Sequence, residues 1–180
     1  SDSLLNDTLW IDSIGNLLND NDWNINANGT GLEAAPANDN LASGTYAIAV
    51  GRSDTASGSY STVSGGYQNK VTGSYSSITG GYQNKNLGSY NTLGGYRNYT
   101  NSSYTTIFGY NDSVINSSLD GNGIIGKNHT ISGVGATVTG RNYILGGYDN
   151  KIRNLISNGS HTLTIVGGSG HSISGRSAGN

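Results

Sequence analysis

The sequence predicts an all-β fold, a parallel β-roll or β-helix (solenoid) built from coils of 14–15 residues. The first reason is a repeat from about residue 42 to residue 148, as in ASGSYSTVSGGYQNK followed by TGSYSSITGGYQNK. A fixed short period indicates one structural unit stacked on copies of itself. The second reason is that glycines recur too often for helices, and no segment keeps a helical apolar period.

Residues 1–36 do not belong to the repeat, and we interpret them as an N-terminal β arm of short strands separated by Asn, Asp and Gly turns. Residues 37–41 are the predicted linker, and residues 42–180 form the predicted solenoid domain. The arm either caps its own coil stack or lies along a neighbouring subunit and adds strands to an exposed edge. Its candidate subunit-interface anchors are Trp10, Leu17, Leu18 and Trp23.

The repeat also predicts which side chains face inward. Apolar residues recur three positions after each repeated tyrosine and are the predicted core: Val63, Ile78, Leu93 and Ile107, joined by Val71, Leu87, Val114, Ile131 and Val138. Glycines, and in second place the Asn residues that follow them, are expected at turn positions with positive φ. A coil this thin buries only a few side chains against the entropy cost of ordering it, so we expect a homo-oligomer or filament.

A column of tyrosines is the strongest candidate surface: Tyr46, Tyr60, Tyr75, Tyr90 and Tyr104. One hypothesis is an aromatic platform that stacks on sugar rings or on a neighbouring chain. The alternative is a set of stabilising ladders along one face of the solenoid. Possible partners are therefore copies of the chain itself, glycans or a host surface.

The copies resemble the left-handed parallel β-roll repeats of trimeric autotransporter adhesin heads, known as the YadA-like head repeat. They also resemble repeats of bacterial and phage extracellular fibre proteins. The resemblance covers residues 42–148. It implies a left-handed roll in a secreted, oligomeric surface fibre, with Val63, Ile78, Leu93 and Ile107 filling the roll and the contacts between chains. This chain carries serine and tyrosine where those repeats usually have alanine and isoleucine.

Amino-acid composition limits which partners, sites and cellular locations the sequence allows. Only 11% of residues are charged, the net charge is -2, and the nine Lys and Arg residues are scattered singly along the sequence, which argues against a nucleic-acid partner. Without cysteine there is neither disulfide nor thiolate site. No apolar run reaches the roughly 18 residues of a transmembrane segment. A start at Ser1 fits either a processed secretory precursor or an excised segment, and the polar composition favours an extracellular protein.

The sequence gives less support for catalytic, metal and glycosylation sites. We predict no cofactor, no metal site and no catalytic residues, because the carboxylates are few and the histidines fall in different coils. Among the N-x-S/T sequences, three lie in the turn region and are candidate glycosylation sites: Asn98, Asn111 and Asn128.

The sequence therefore favours a non-enzymatic extracellular structural protein, a fibre subunit with an adhesin as a close variant. The alternative is a phage tail-fibre receptor-binding protein that recognises host glycans. A β-helix enzyme that degrades polysaccharides ranks lowest.

Overall fold

The computed structural model describes residues 23–25, 32–34, 39–115, 121–133, 140–148, 150–153, 161–167 and 169–174. The described chain is all-β, and from residue 48 onward its strands alternate between two sheets of parallel strands that wind as a β-solenoid. The predicted fold class is confirmed.

Among the described residues the longer sheet contains ten strands, in the spatial order of the following list. They are β1 (Trp23–Ile25), β2 (Leu32–Ala34), β3 (Ile48–Ala49), β5 (Thr62–Val63), β7 (Ser77–Tyr82), β9 (Thr92–Tyr96), β11 (Thr105–Tyr110), β13 (Asn122–Lys127), β15 (Gly140–Tyr148) and β17 (His161–Val166).

The second sheet, in the part of the chain that the structure describes, contains eight strands, each of which follows a strand of the first sheet along the chain. They are β4 (Thr55–Ala56), β6 (Lys70–Val71), β8 (Lys85–Asn86), β10 (Tyr99–Thr100), β12 (Ser113–Ile115), β14 (Thr130–Ser132), β16 (Lys151–Arg153) and β18 (Ser172–Ser174).

The register of the strands converts the sequence repeat into columns of equivalent residues. Thr62 pairs with Ser77, Ser77 with Thr92, and Thr106 with Thr92, so each coil places the same repeat position in the same column. Hydrogen-bonded partners in neighbouring coils are 14 or 15 residues apart in the first part of the rod, and 17 apart between Asp112 and His129. The coils therefore lengthen toward the C-terminal end.

The β1–β2 hairpin sits on the chain's own first coil. β1 is antiparallel to β2, whereas β2 pairs in parallel with β3 through Leu32–Ile48 and Glu33–Ala49. The strand at residues 32–34 is thus the first rung of the longer sheet. Of the predicted anchors, Trp23 begins β1, while Trp10, Leu17 and Leu18 lie outside the described residues.

The core is a narrow double column. Val63, Ile78, Leu93 and Ile107 are all fully buried and lie one above another in the longer sheet. In the second sheet the inward column is formed by Ala56, Val71, Asn86, Thr100, Val114 and Ile131.

The prediction for Leu87 was wrong, because Asn86 occupies the inward position of its coil and Leu87 is only half-buried beside it. Val138 lies outside the described residues.

The prediction of positive φ at the turns is confirmed for the repeated glycines, such as Gly66 and Gly81 with φ of 106° and 113°, and for Asn111 and Asn128. Other left-handed turn residues were not predicted. Tyr46, Tyr60, Tyr75, Tyr90 and Tyr104 themselves adopt left-handed backbone, with φ from 52° to 60°. The second left-handed position of each coil is the residue before a buried Asn, Asp or His, and Asn69, Asn84 and Asn98 themselves do not have positive φ. That position is held by Asp39, Ser53, Gln68, Gln83, Arg97, Asn111 and Asn128.

Candidate functional site

The predicted tyrosine column is a continuous stack on the rod surface, here called the first tyrosine ladder. It contains Tyr46, Tyr60, Tyr75, Tyr90 and Tyr104, each about half exposed, with neighbouring ring centroids 4.9–5.2 Å apart. The parallel rungs set this spacing, which is close to the 4.8 Å separation of β-strands. From Tyr60 onward the neighbouring rings are within 7° of parallel.

This geometry changes what the ladder can bind. The rings of Tyr60, Tyr75 and Tyr90 have another tyrosine on each face. A sugar ring therefore cannot stack on these faces, and the ladder offers ring edges and hydroxyls to a ligand instead. Of the two interpretations of the column, the stacking platform for sugars does not fit the interior of the ladder.

A shallow groove of about 460 Å³ runs beside the first tyrosine ladder. It crosses three coils and combines tyrosine ring edges with the half-buried hydroxyls of Thr62, Ser77 and Thr92. Ser76 and Asn91 border the groove with buried side chains. Its lining is Tyr60, Thr62, Tyr75, Ser76, Ser77, Tyr90, Asn91 and Thr92. Such a lining is neutral and rich in hydrogen-bonding groups.

A second tyrosine ladder, which the sequence analysis did not single out, stands at the corner where the two sheets meet. It contains Tyr67, Tyr82, Tyr96 and Tyr110, with ring centroids 4.8–5.5 Å apart. A cation covers each end: the Arg52 guanidinium lies 5.5 Å from the Tyr67 ring centroid, and the Lys127 ammonium 5.1 Å from that of Tyr110. Cations over aromatic faces are attracted by the ring quadrupole. The spacing signal was available, because each of these tyrosines directly follows a repeated glycine.

Several Lys and Arg side chains lie close to the second tyrosine ladder. Arg52 and Lys127 share its column, Arg97 follows Tyr96, and Lys70 pairs in register with Lys85 on the adjoining edge of the second sheet. We call these five exposed side chains the basic corner. In the described stretches 39–115 and 121–133 the only exposed carboxylate is Asp39, because Asp54 and Asp112 are buried.

A polar column lies inside the same corner. It runs through successive coils, with every member buried, and we call it the inner polar ladder: Asn40, Asp54, Asn69, Asn84, Asn98, Asp112, His129 and Asn150. The Oδ1 of Asn69 accepts the backbone N–H of Asn84, and the Oδ1 of Asn84 accepts that of Asn98, both at 3.0 Å. Each coil is thereby hydrogen-bonded to the next through a side chain.

The amide nitrogens of the ladder satisfy backbone carbonyls at the turns. Nδ2 of Asn84 donates to the carbonyl of Gly80 at 3.3 Å and to that of Gly95 at 2.8 Å. Buried backbone carbonyls need such partners, since an unsatisfied polar group is costly. The ladder therefore holds together the turns that carry the basic corner outside.

Asp54 and Asp112 occupy asparagine positions but cannot donate in the same way. Oδ1 of each accepts the backbone N–H of the next rung, whereas Oδ2 of each is buried without a hydrogen bond. Burial raises the pKa of the Asp54 carboxyl, and hydrogen bonds from Asn69 only partly oppose this. Protonation would give Oδ2 the donor that the asparagine amide supplies elsewhere.

His129 joins the ladder beneath Asp112. Its Nδ1 lies 2.8 Å from Oδ1 of Asp112, and both side chains are fully buried. Burial also raises the pKa of Asp112, against the lowering effect of its contacts with His129. The sequence signal for Asp54, Asp112 and His129 was their position three residues after a repeated glycine, which is also the position of Asn69, Asn84 and Asn98.

The candidate glycosylation sites fall in two different columns. Asn98 belongs to the inner polar ladder, is fully buried and donates to the carbonyls of Gly94 and Gly109, so the folded rod leaves no room for a glycan there. The prediction for Asn98 is therefore corrected. Asn111 is exposed and Asn128 half-buried in the outward turn column, with Nδ2 of Asn111 donating to Oδ1 of Asn128 at 3.2 Å.

Fold and surface together define a class of protein: a parallel β-solenoid of short coils that presents stacked aromatic ladders. Comparison with protein-family models, curated proteins and solved structures found no match for this chain. Within the described residues, no helix has the length and apolar character to cross a membrane.

Proposed function

We propose that this chain is a non-enzymatic extracellular structural protein, a subunit of a homo-oligomeric or filamentous surface fibre, with cell adhesion as the close variant. The observation that carries the proposal is the thin core: a coil such as that of Ile78 has one large apolar side chain in one sheet and Asn86 at the matching position of the other. So little apolar burial offsets only part of the entropy cost of ordering a coil. Contacts between copies would supply the rest.

The first tyrosine ladder supports the same proposal. Its rings stay about half exposed along the rod, and tyrosine is among the residues enriched at protein interfaces. The resemblance to YadA-like head repeats points in the same direction, toward an oligomeric surface protein. Trimer and filament both fit these observations.

The test is the mass of the purified chain in solution. Sedimentation velocity across a wide concentration range should show oligomers, and electron microscopy should show rods or filaments. A chain that remains monomeric at every concentration while keeping its β-rich circular dichroism spectrum would contradict the proposal.

The groove beside the first tyrosine ladder supports a second candidate, a receptor-binding fibre that recognises neutral host glycans. The hydroxyls of Thr62, Ser77 and Thr92 could bind sugar hydroxyls, with the edge of Tyr75 beside them. Titration calorimetry with neutral oligosaccharides should then detect binding that Tyr75→Phe weakens by removing the hydroxyl alone. Equal affinity in Tyr75→Phe and the parent chain would remove this groove as the site.

A further inference from the structure

The first ground for a further inference is the shape of the basic corner. Arg52 and Lys127 lie in one column, with Tyr67, Tyr82, Tyr96 and Tyr110 between them. At about 4.8 Å per rung, the corner is a strip roughly 24 Å long. Lys70 and Lys85 lie directly opposite each other in register. Like charges in this position repel, so an anionic strand along the corner would relieve the repulsion.

The second ground is that charge is segregated along the chain. The first 39 residues contain no Lys or Arg, and all nine basic residues come later. The carboxylates of this first part are Asp2, Asp7, Asp12, Asp20, Asp22, Glu33 and Asp39. The acidic segment of residues 1–22 therefore has the charge opposite to that of the basic corner, and every copy of the chain carries both.

The third ground is where that segment joins the rod. Trp23 pairs with Ala34, and Glu33 pairs with Ala49, so Trp23 lies at the end of β1 that faces the corner side of the sheet. The chain preceding Trp23 thus joins the rod near the N-terminal end of the corner. A segment of 22 residues can extend to about 75 Å, several times the length of the corner.

We propose that residues 1–22 of one copy lie along the basic corner of a second copy and link the copies end to end. This inference rests on the proposed function, since it names the contact by which the subunits assemble. The carboxylates meet Arg52, Lys70, Lys85, Arg97 and Lys127, and Trp10 offers an aromatic face to the cations. The segment leaves the N-terminal end of its own rod. If the two rods stand end to end, it reaches the basic corner of the next rod without reversing direction.

A charge-exchange experiment on the 180-residue chain tests the proposal. The corner-reversed variant carries R52E, K70E, K85E and R97E, and the arm-reversed variant carries D2K, D7K, D12K, D20K and D22K. In each variant alone, the corner and residues 1–22 carry charge of the same sign and repel each other. Association of the variant with itself should therefore weaken about tenfold or more. Mixing the two variants restores opposite charges between copies, and sedimentation velocity should show that assembly returns.

The control adds the same number of glutamates at exposed positions outside the corner: S64E, T79E, N101E and T106E. This variant should assemble like the parent chain. Circular dichroism melting of every variant checks the fold. Charge reversal keeps the number of like-charged neighbours and removes only surface contacts, such as the cation–π contact of Arg52 with Tyr67, so the fold should stay intact. Assembly of the parent chain should also weaken as NaCl approaches about 1 M, where the screening length falls to about 3 Å.

Several results would overturn the inference. If the parent chain assembles and the corner-reversed variant does so equally well, this contact is wrong while the proposed function stands. If neither variant assembles alone and the mixture stays dispersed, the segment does not act between copies. A monomeric parent chain whose corner binds heparin, lost in the corner-reversed variant, would assign the corner to an anionic polysaccharide and would contradict both proposals.

Discussion

The inner polar ladder and the first tyrosine ladder are built by the same repeat, yet they obey different rules. Asn84 and Asn98 are fully buried and hydrogen-bonded to the backbone of neighbouring coils. Tyr60 and Tyr75 are about half exposed and contact mainly the rings above and below. The difference teaches that burial, more than repetition, decides how much stability is lost when one side chain of a column is removed. Inside, each atom needs a partner, whereas outside, water replaces a lost contact.

The turns that surround the inner polar ladder should show the largest effect of a single change. A methyl group on Gly81, whose φ is +113°, would overlap the backbone carbonyl of Gly95 in the next coil. Gly81→Ala must separate the two coils or distort the turn, so we expect a loss of more than about 4 kcal/mol in the free energy of unfolding. Urea unfolding monitored by circular dichroism measures it.

Gly80→Ala is the matched control. Gly80 is the neighbouring residue with φ +140°, and a methyl group there would meet only the Gly65 carbonyl oxygen at 3.8 Å. Only the backbone strain remains, at about 1–2 kcal/mol. Equal losses in the two variants would show that close approach of the coils does not limit Gly81.

The inner polar ladder itself should show the next largest effect. Asn84→Leu removes the acceptor of the Asn98 N–H and the donor to the carbonyls of Gly80 and Gly95, all in a fully buried position. We expect a loss of about 3 kcal/mol in the free energy of unfolding. Gln83→Leu changes the preceding amide, whose bond to Gln68 lies at the surface, and should cost less than about 1 kcal/mol. Similar midpoints for both variants in urea would contradict this difference.

Asp54 allows a stabilising change at the same ladder. Asp54→Asn should place an amide donor where Oδ2 now has no partner, as the amide of Asn69 donates to the Gly81 carbonyl. At neutral pH we expect a gain of about 1–3 kcal/mol in the free energy of unfolding. A loss of stability in this variant would mean that the carboxylate is the preferred group.

The pH dependence of Asp54 follows from its raised pKa. Because the folded carboxyl holds its proton more tightly than the unfolded one, its contribution to stability is fully present below pH 3.8. That contribution is lost as the pH rises through the raised pKa of the folded state. Melting temperatures of Asp54→Asn should therefore fall less steeply above pH 3.8 than those of the parent chain, and parallel profiles would count against a protonated Asp54.

The first tyrosine ladder should show the smallest effect. Tyr75→Ala removes two stacked contacts from a side chain that is 54% exposed, so we expect a loss of about 1 kcal/mol in the free energy of unfolding. Tyr75→Phe keeps the rings stacked and should change stability by less than about 0.5 kcal/mol. A larger loss for Tyr75→Ala than for Asn84→Leu would invert the comparison between the two ladders.

The sequence was a good guide where one residue type repeats at one position. The fold class, the buried positions of Val63 and Ile78, and the tyrosine column all followed from the period. It was a poor guide where a column changes residue type, because Asp112 and His129 do not resemble Asn98 until the register aligns them. Glycosylation at Asn98 was predicted for the same reason, since Asn98 and Asn111 look alike in sequence and face opposite ways.

By itself, the sequence determined a stack of short coils, because glycine spacing and the alternation of small and apolar residues permit only a tight parallel winding. Which side chains the stacked coils place next to one another was decided by the tertiary structure alone. Lys70, Arg97 and Lys127 are isolated along the chain, and the strand register collects them at one corner. The physical reason is that coils of 14, 15 or 17 residues return to the same strand register, so residues at irregular spacings in sequence become neighbours in space.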